Sequence, residues 1–129
     1  MNSVPSIGRD DFVREFQARF PEIAADIGDI EDGLLHLEMA VLSHATNGAV
    51  VEGRWSAVAE HFAFTSEIFA RGNADLRNAV AVSYLENVFI GESSASFVFA
   101  RSMLPVNLAV EMDLLEAHFA MLANAQSAP

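Results

Sequence analysis

The stretch 74–90, ADLRNAVAVSYLENVFI, constrains the fold more than any other part of the chain. Wound as a helix, it sets apolar side chains on nearly every side: Leu76, Ala79, Val80, Val82, Tyr84, Leu85, Val88 and Phe89. A helix that is apolar all round needs neighbours all round, so the pattern predicts the central post of a helical domain. Its polar groups Ser83, Glu86 and Asn87 fall within about one helical turn of each other. They are therefore predicted to sit at or near the heart of the fold.

The rest of the chain supplies the neighbours. Asp10 or Asp11 is placed to cap a first helix, whose Phe12, Phe16 and Phe20 recur every fourth residue as one apolar stripe. Pro21 suits the first turn of a short second helix carrying Ile23, Ile27 and Ile30. A long helix follows over 34–51, with Leu34, Leu37, Val41, Ala45 and Gly48 on one face. Another runs over 55–71, with Trp55, Val58, Phe62, Thr65 and Phe69 inward and Gly72 with Asn73 ending it. Ser93 or Ser94 caps a helix over 95–104. Pro105 breaks it and starts the last, to about residue 123, with Leu108, Met112, Leu115, Phe119 and Leu122 as its stripe. No alternating β-branched run bounded by hairpin residues occurs. The fold expected is all-α: one domain over 9–124, a bundle of five or six helices around a buried helix at 74–90. The segments 1–8 and 125–129 are expected as loose ends.

Charge narrows the partners. Eighteen Asp and Glu against seven Lys and Arg give a formal charge of -11. Such a balance argues against nucleic acid, whose binders need a basic footprint, and against an anionic membrane surface. It suits solubility, as an ordinary solvated face, or a basic protein partner. The absence of cysteine removes disulfides, thiolate metal sites and thiol nucleophiles. The start, MNSVPSIGRDDF, lacks a basic region followed by an apolar one, and the apolar runs are too broken to span a bilayer. A cytoplasmic protein is expected.

Several residue groups invite chemistry. Asp26, Asp29, Glu31 and Asp32 surround Gly28 and Gly33 without calcium-loop spacing, and acids favoured at a helix start explain them as well. The histidines His36, His44, His61 and His118 show neither His-x-x-x-His nor Glu-x-x-His spacing, so no metal is expected. Gly91-Glu-Ser-Ser-Ala lacks the strand and second glycine of a nucleophile elbow, and its serines serve better as caps. Glu38 stands out, projecting among Leu34, Val41, Leu42 and Ala45. A carboxylate there has to be paired, hydrogen-bonded or protonated. Glu38, Ser83, Tyr84, Glu86 and Asn87 are expected to meet as a buried polar network. A network fixing helix register is the bland reading, and a pair of carboxylates poised for acid catalysis the sharp one.

The segments Leu35-His36-Leu37-Glu38-Met39 and Val82-Ser83-Tyr84-Leu85-Glu86 resemble a family of small uncharacterised bacterial helical proteins. The likeness runs from Phe12 to about Leu122 and departs from the family pattern at Ala81, where a relative has Asn. Some members are similar to immunity proteins that neutralise polymorphic toxins. The resemblance implies an all-helical fold, no established catalytic residues, and Glu38, Tyr84 and Glu86 as positions to test. With the charge, it leads to a non-enzymatic, cofactor-free acidic binding protein, an immunity-like inhibitor of a basic toxin. Its expected contact residues are Asp26, Asp29, Glu31, Asp32, Glu60 and Glu67. Two alternatives stand beside it: a small-ligand or enzymatic pocket on Glu38, Tyr84 and Glu86, and a homo-oligomerisation module using Phe64, Ile68 and Phe97.

Overall fold

The computed structural model describes residues 6–29 and 34–127. Helix α1 (Arg9–Arg19) leads into α2 (Pro21–Ala24) and a 3-10 turn (Ala25–Asp29); α3 (Leu35–Val51) and α4 (Trp55–Arg71) follow. Then α5 (Ala74–Ala79), a π-helical stretch (Val80–Leu85) and α6 (Glu86–Phe89) run on without a break as one rod. Helices α7 (Ala95–Ser102) and α8 (Val106–Ser127) complete an all-α single-domain bundle.

Local chemistry sets these boundaries. Asp11 closes the start of α1 by accepting from the Gly8 amide at 3.3 Å, so Gly8 rather than an aspartate is the capping residue. Asn73 caps the central rod, its Oδ1 accepting from the Leu76 amide at 2.9 Å. Gly53 and Gly91 end α3 and α6 with φ of 70° and 85°, a left-handed conformation that glycine adopts at low cost. Ile7 is tied down: its amide donates to the Arg71 carbonyl at 2.9 Å, and its carbonyl accepts from the Asn73 amide at 2.7 Å.

The central rod is buried as its sequence predicts. Leu76, Ala79, Val80, Tyr84, Leu85 and Val88 have no exposed surface, and α3 packs along the π-helical stretch. Phe12 and Phe16 close the core from α1, with Phe64 beneath both rings at 6.3 and 6.1 Å. Phe64, Ile68 and Phe97, expected as an exposed patch for self-association, are instead buried at 1%, 1% and 7% exposure. Aromatic neighbours explain this for Phe64, which also meets Phe20 edge-on at 5.4 Å. Among the described residues no helix is long and apolar enough to cross a membrane.

Candidate functional site

The polar residues of the core sit where α3 faces the π-helical stretch. A π turn closes i to i+5 hydrogen bonds, takes one residue more than an α turn, and is frequent at functional sites. Here it aims two consecutive side chains, Ser83 and Tyr84, at α3. Ser83 Oγ lies 2.6 Å from His36 Nδ1 near the start of α3. Tyr84 Oη lies 2.8 Å from Thr46 Oγ1, farther along the same helix. Asn47 Nδ2 donates to the Asn87 carbonyl at 3.2 Å, a third contact between the two helices. The Asn87 side chain turns back to donate to the Ser83 carbonyl at 2.9 Å, supporting the backbone where the π turn has widened it.

Thr46 is the hub of the buried bonds. Its hydroxyl lies 3.1 Å from the Leu42 carbonyl, 3.0 Å from His61 Nδ1 and 2.8 Å from Tyr84 Oη. A hydroxyl has one proton and two lone pairs. All three contacts are satisfied when Thr46 donates to Leu42 and accepts from the Tyr84 hydroxyl and from a neutral His61 protonated at Nδ1. The electrostatics agree with this assignment. Burial, then the positive charge of Arg54, lowers the pKa of His61 and favours the neutral ring. Burial raises the pKa of the Tyr84 hydroxyl, partly opposed by its bonds to Thr46 and Thr65, so it stays protonated and able to donate.

Glu38 does not join this network. Its carboxylate has no exposed surface and is gripped by Arg9: Nε donates to Oε1 at 2.8 Å, and Nη2 to Oε2. The expected meeting with Ser83, Tyr84, Glu86 and Asn87 is therefore corrected to a forked ion pair with α1. Glu86 is half-buried and Asn87 exposed, although both were expected inside. The extra residue of the π turn explains it, since it rotates every later side chain of the rod by about 100° relative to a plain α-helix. A pocket using Glu38, Tyr84 and Glu86 together is likewise corrected, because the first two carry out their bonding in separate, filled parts of the core.

Two surface concavities flank the outer side of α3. One, of about 330 Å³, is lined by Leu34, Leu35, His36, Leu37, Asp75 and Asn78. The other, also about 330 Å³, is lined by Asp26, Leu37, Ala40, Val41 and His44. Leu37 is the ridge between them and is 53% exposed. Each hollow thus joins apolar lining to one aspartate and one histidine.

The acids singled out by sequence are dispersed. Asp26 is exposed on the 3-10 turn and lines the second hollow. Asp29 ends that turn, while Glu31 and Asp32 lie outside the described residues. Glu60 is exposed on α4; Glu67, on the same helix, receives Arg19 at 3.3 Å. Among the described residues no three His, Asp or Glu side chains are grouped to hold a metal. Sequence reasoning missed Arg9, Thr46 and Asp75. Thr46 gave a faint signal as a hydroxyl one turn beyond the buried Leu42 on the inner side of α3, whereas Arg9 and Asp75 read as ordinary first-turn charges.

A family model matches residues 13–119. The chain belongs to DUF7674, a domain of unknown function. No curated protein and no solved structure matches it. The DUF7674 span contains Glu38, Thr46, His61, Ser83 and Tyr84, and both hollows beside Leu37. Arg9, the partner of Glu38, lies before it, and the last eight residues of α8 lie beyond it.

Proposed function

We propose that this DUF7674 chain is a non-enzymatic acidic binding protein that receives a basic partner on the outer face of α3. The observation that carries this reading is Leu37, exposed between two hollows that each carry an aspartate, Asp26 and Asp75. Apolar surface rimmed by acids suits a segment in which Lys or Arg alternates with apolar side chains: burial supplies affinity and charge supplies steering.

The arginines support the same reading. All seven basic residues are Arg, and six of them meet carboxylates within the fold: Arg9, Arg14, Arg19, Arg54, Arg71 and Arg101. Arg77 lies over the Phe69 ring at 4.7 Å. Asp26, Glu60 and Asp75 have no arginine partner among the described residues, so the positive charge is spent internally while these acids face outward. Its most concrete form is an immunity-like inhibitor in the cytoplasm of a bacterium, covering the phosphate-binding surface of a basic nuclease toxin. Glu60 on α4, exposed and without an arginine partner among the described residues, would then add a steering charge.

The test is affinity capture from host lysate at low and high salt, with the native chain and with Leu37→Glu and Asp26→Asn/Asp75→Asn variants. A single basic protein, released by salt and lost with both variants, supports the reading. Capture that ignores salt and survives both variants overturns it.

A further inference from the structure

Helix α8 carries two apolar faces, and the fold uses one. At about 100° per residue, Leu108, Met112, Leu115 and Phe119 occupy an arc of about 60°. Leu108 and Met112 are buried in the core, while Leu115 and Phe119 are half-buried. On the opposite side, Val106, Val110, Leu114, Ala117 and Met121 fall within an arc of about 80°. Val106, Val110, Leu114 and Met121 are exposed by 80%, 54%, 60% and 70%. The outer stripe has no charged residue of its own, in a chain of formal charge -11.

We propose that this outer stripe pairs two copies of the chain, α8 against α8, antiparallel about a two-fold axis between residues 113 and 114. The argument for a second copy is self-complementarity, which a two-fold interface requires. In this register Val106 faces Met121 of the other copy, Val110 faces Ala117, and the two Leu114 side chains meet at the axis. Large thus meets small on either side of a central leucine pair. A basic partner, by contrast, would find no carboxylate within the stripe to recognise. The acid at its edge, Asp113, is already held by Arg101 at 2.8 Å, and the same guanidinium reaches Glu116. The charge most able to repel a second copy across the axis is therefore partly neutralised within each copy.

The stripe spans about 22 Å along the helix, and pairing two helices of about 10–12 Å diameter over that length buries on the order of 400–500 Å² per copy. Stable interfaces bury about 800 Å² per partner, so the expected assembly is a reversible dimer with a dissociation constant in the micromolar range or weaker. This surface is distinct from the face around Leu37 and does not depend on the reading proposed for it.

Sedimentation velocity of the full chain, from low micromolar to about millimolar concentration, tests the pairing over the affinity range expected for so small an interface. A shift from the 14.0 kDa monomer toward a dimer is expected. The shift should vanish in Leu114→Glu, which sets two carboxylates face to face at the axis, and persist in Val51→Glu, an exposed position at the end of α3. Because the chain has no cysteine, register can be read directly with a mild oxidant. Leu114→Cys should form a disulfide-linked dimer at least about tenfold faster than Val51→Cys, since disulfide closure needs Cα atoms within about 7 Å. A monomer throughout the range, a dimer indifferent to Leu114→Glu, or equal cross-linking of the two cysteine variants overturns the proposal.

Discussion

Glu38, fully buried on α3, is held by the guanidinium of Arg9, twenty-nine residues earlier on α1. The pair ties the first helix to the core through two parallel hydrogen bonds, and one member cannot be removed without stranding the other. Arg9→Ala leaves a carboxylate indoors without its cation and is expected to cost about 3 kcal/mol, near the low end for breaking a buried pair, because the arginine side chain is itself 26% exposed. Glu38→Gln keeps the shape and one acceptor and should cost less, about 1–2 kcal/mol, since the partly solvated arginine can turn to water. Urea unfolding of the two variants checks the order. Equal, negligible losses would remove Glu38 from the account of stability.

The Thr46 hub makes a second demand. Thr46→Val keeps the volume nearly constant but leaves His61 Nδ1 without a protein partner in the core and the Tyr84 hydroxyl with only its bond to Thr65. A loss of about 2–3 kcal/mol is expected, against about 1 kcal/mol for Tyr84→Phe, which removes a donor whose acceptor keeps another bond. A double-mutant cycle between positions 46 and 84 should show clear coupling. Additive losses would mean that the hydroxyls act separately.

His61 sets a pH dependence of known sign. Its folded pKa lies below the ordinary 6.5, burial being the main cause and the charge of Arg54 the next. Below pH 6.5 the unfolded chain therefore binds a proton that the folded chain resists. The contribution of His61 is complete above that value and is lost as pH falls toward the folded pKa. His61→Asn, which can keep a bond to Thr46, should flatten stability measured by urea unfolding between pH 7.5 and 5. An unchanged slope would assign the dependence to other groups.

These residues also mark how far the sequence could be read. The central rod was legible because apolar side chains on every side admit one environment, and Phe12 and Phe16 because a four-residue stripe can bury only one way. Glu38 is buried as expected, but not through the arc that suggested it, since Leu34 is exposed and Val41 and Ala45 are half-buried; its partner was not legible. Arg9 carries no periodic signal, and nothing local links it to a residue on another helix. The π turn was invisible, since its extra residue is stabilised by Asn87 and by packing on α3 rather than by propensity. Without it, plain α-helical spacing turns Glu86 and Asn87 inward. The inner stripe of α8 was plain, but the solvent on its outer stripe depends on which helices lie beside it.

Two glycines complete the tests by predicting opposite signs for one substitution. Gly72 sits where Ile7 pairs across to Arg71 and Asn73, and a Cβ there would lie 2.8 Å from the Ile68 carbonyl oxygen and 3.2 Å from the Leu76 side chain. The oxygen belongs to the backbone of α4 and cannot swing away. Gly72→Ala must push α4 from the start of the central rod, at a cost of about 1–3 kcal/mol. Gly48 lies inside α3 with nothing within 4 Å of its would-be Cβ. There the methyl meets no obstacle and the helix gains the alanine preference, so Gly48→Ala should stabilise by about 0.5–1 kcal/mol. Thermal unfolding of the two variants should move the midpoint in opposite directions. A stabilised Gly72→Ala would show that the junction joining the Ile7 segment, α4 and the rod is looser than the packing requires.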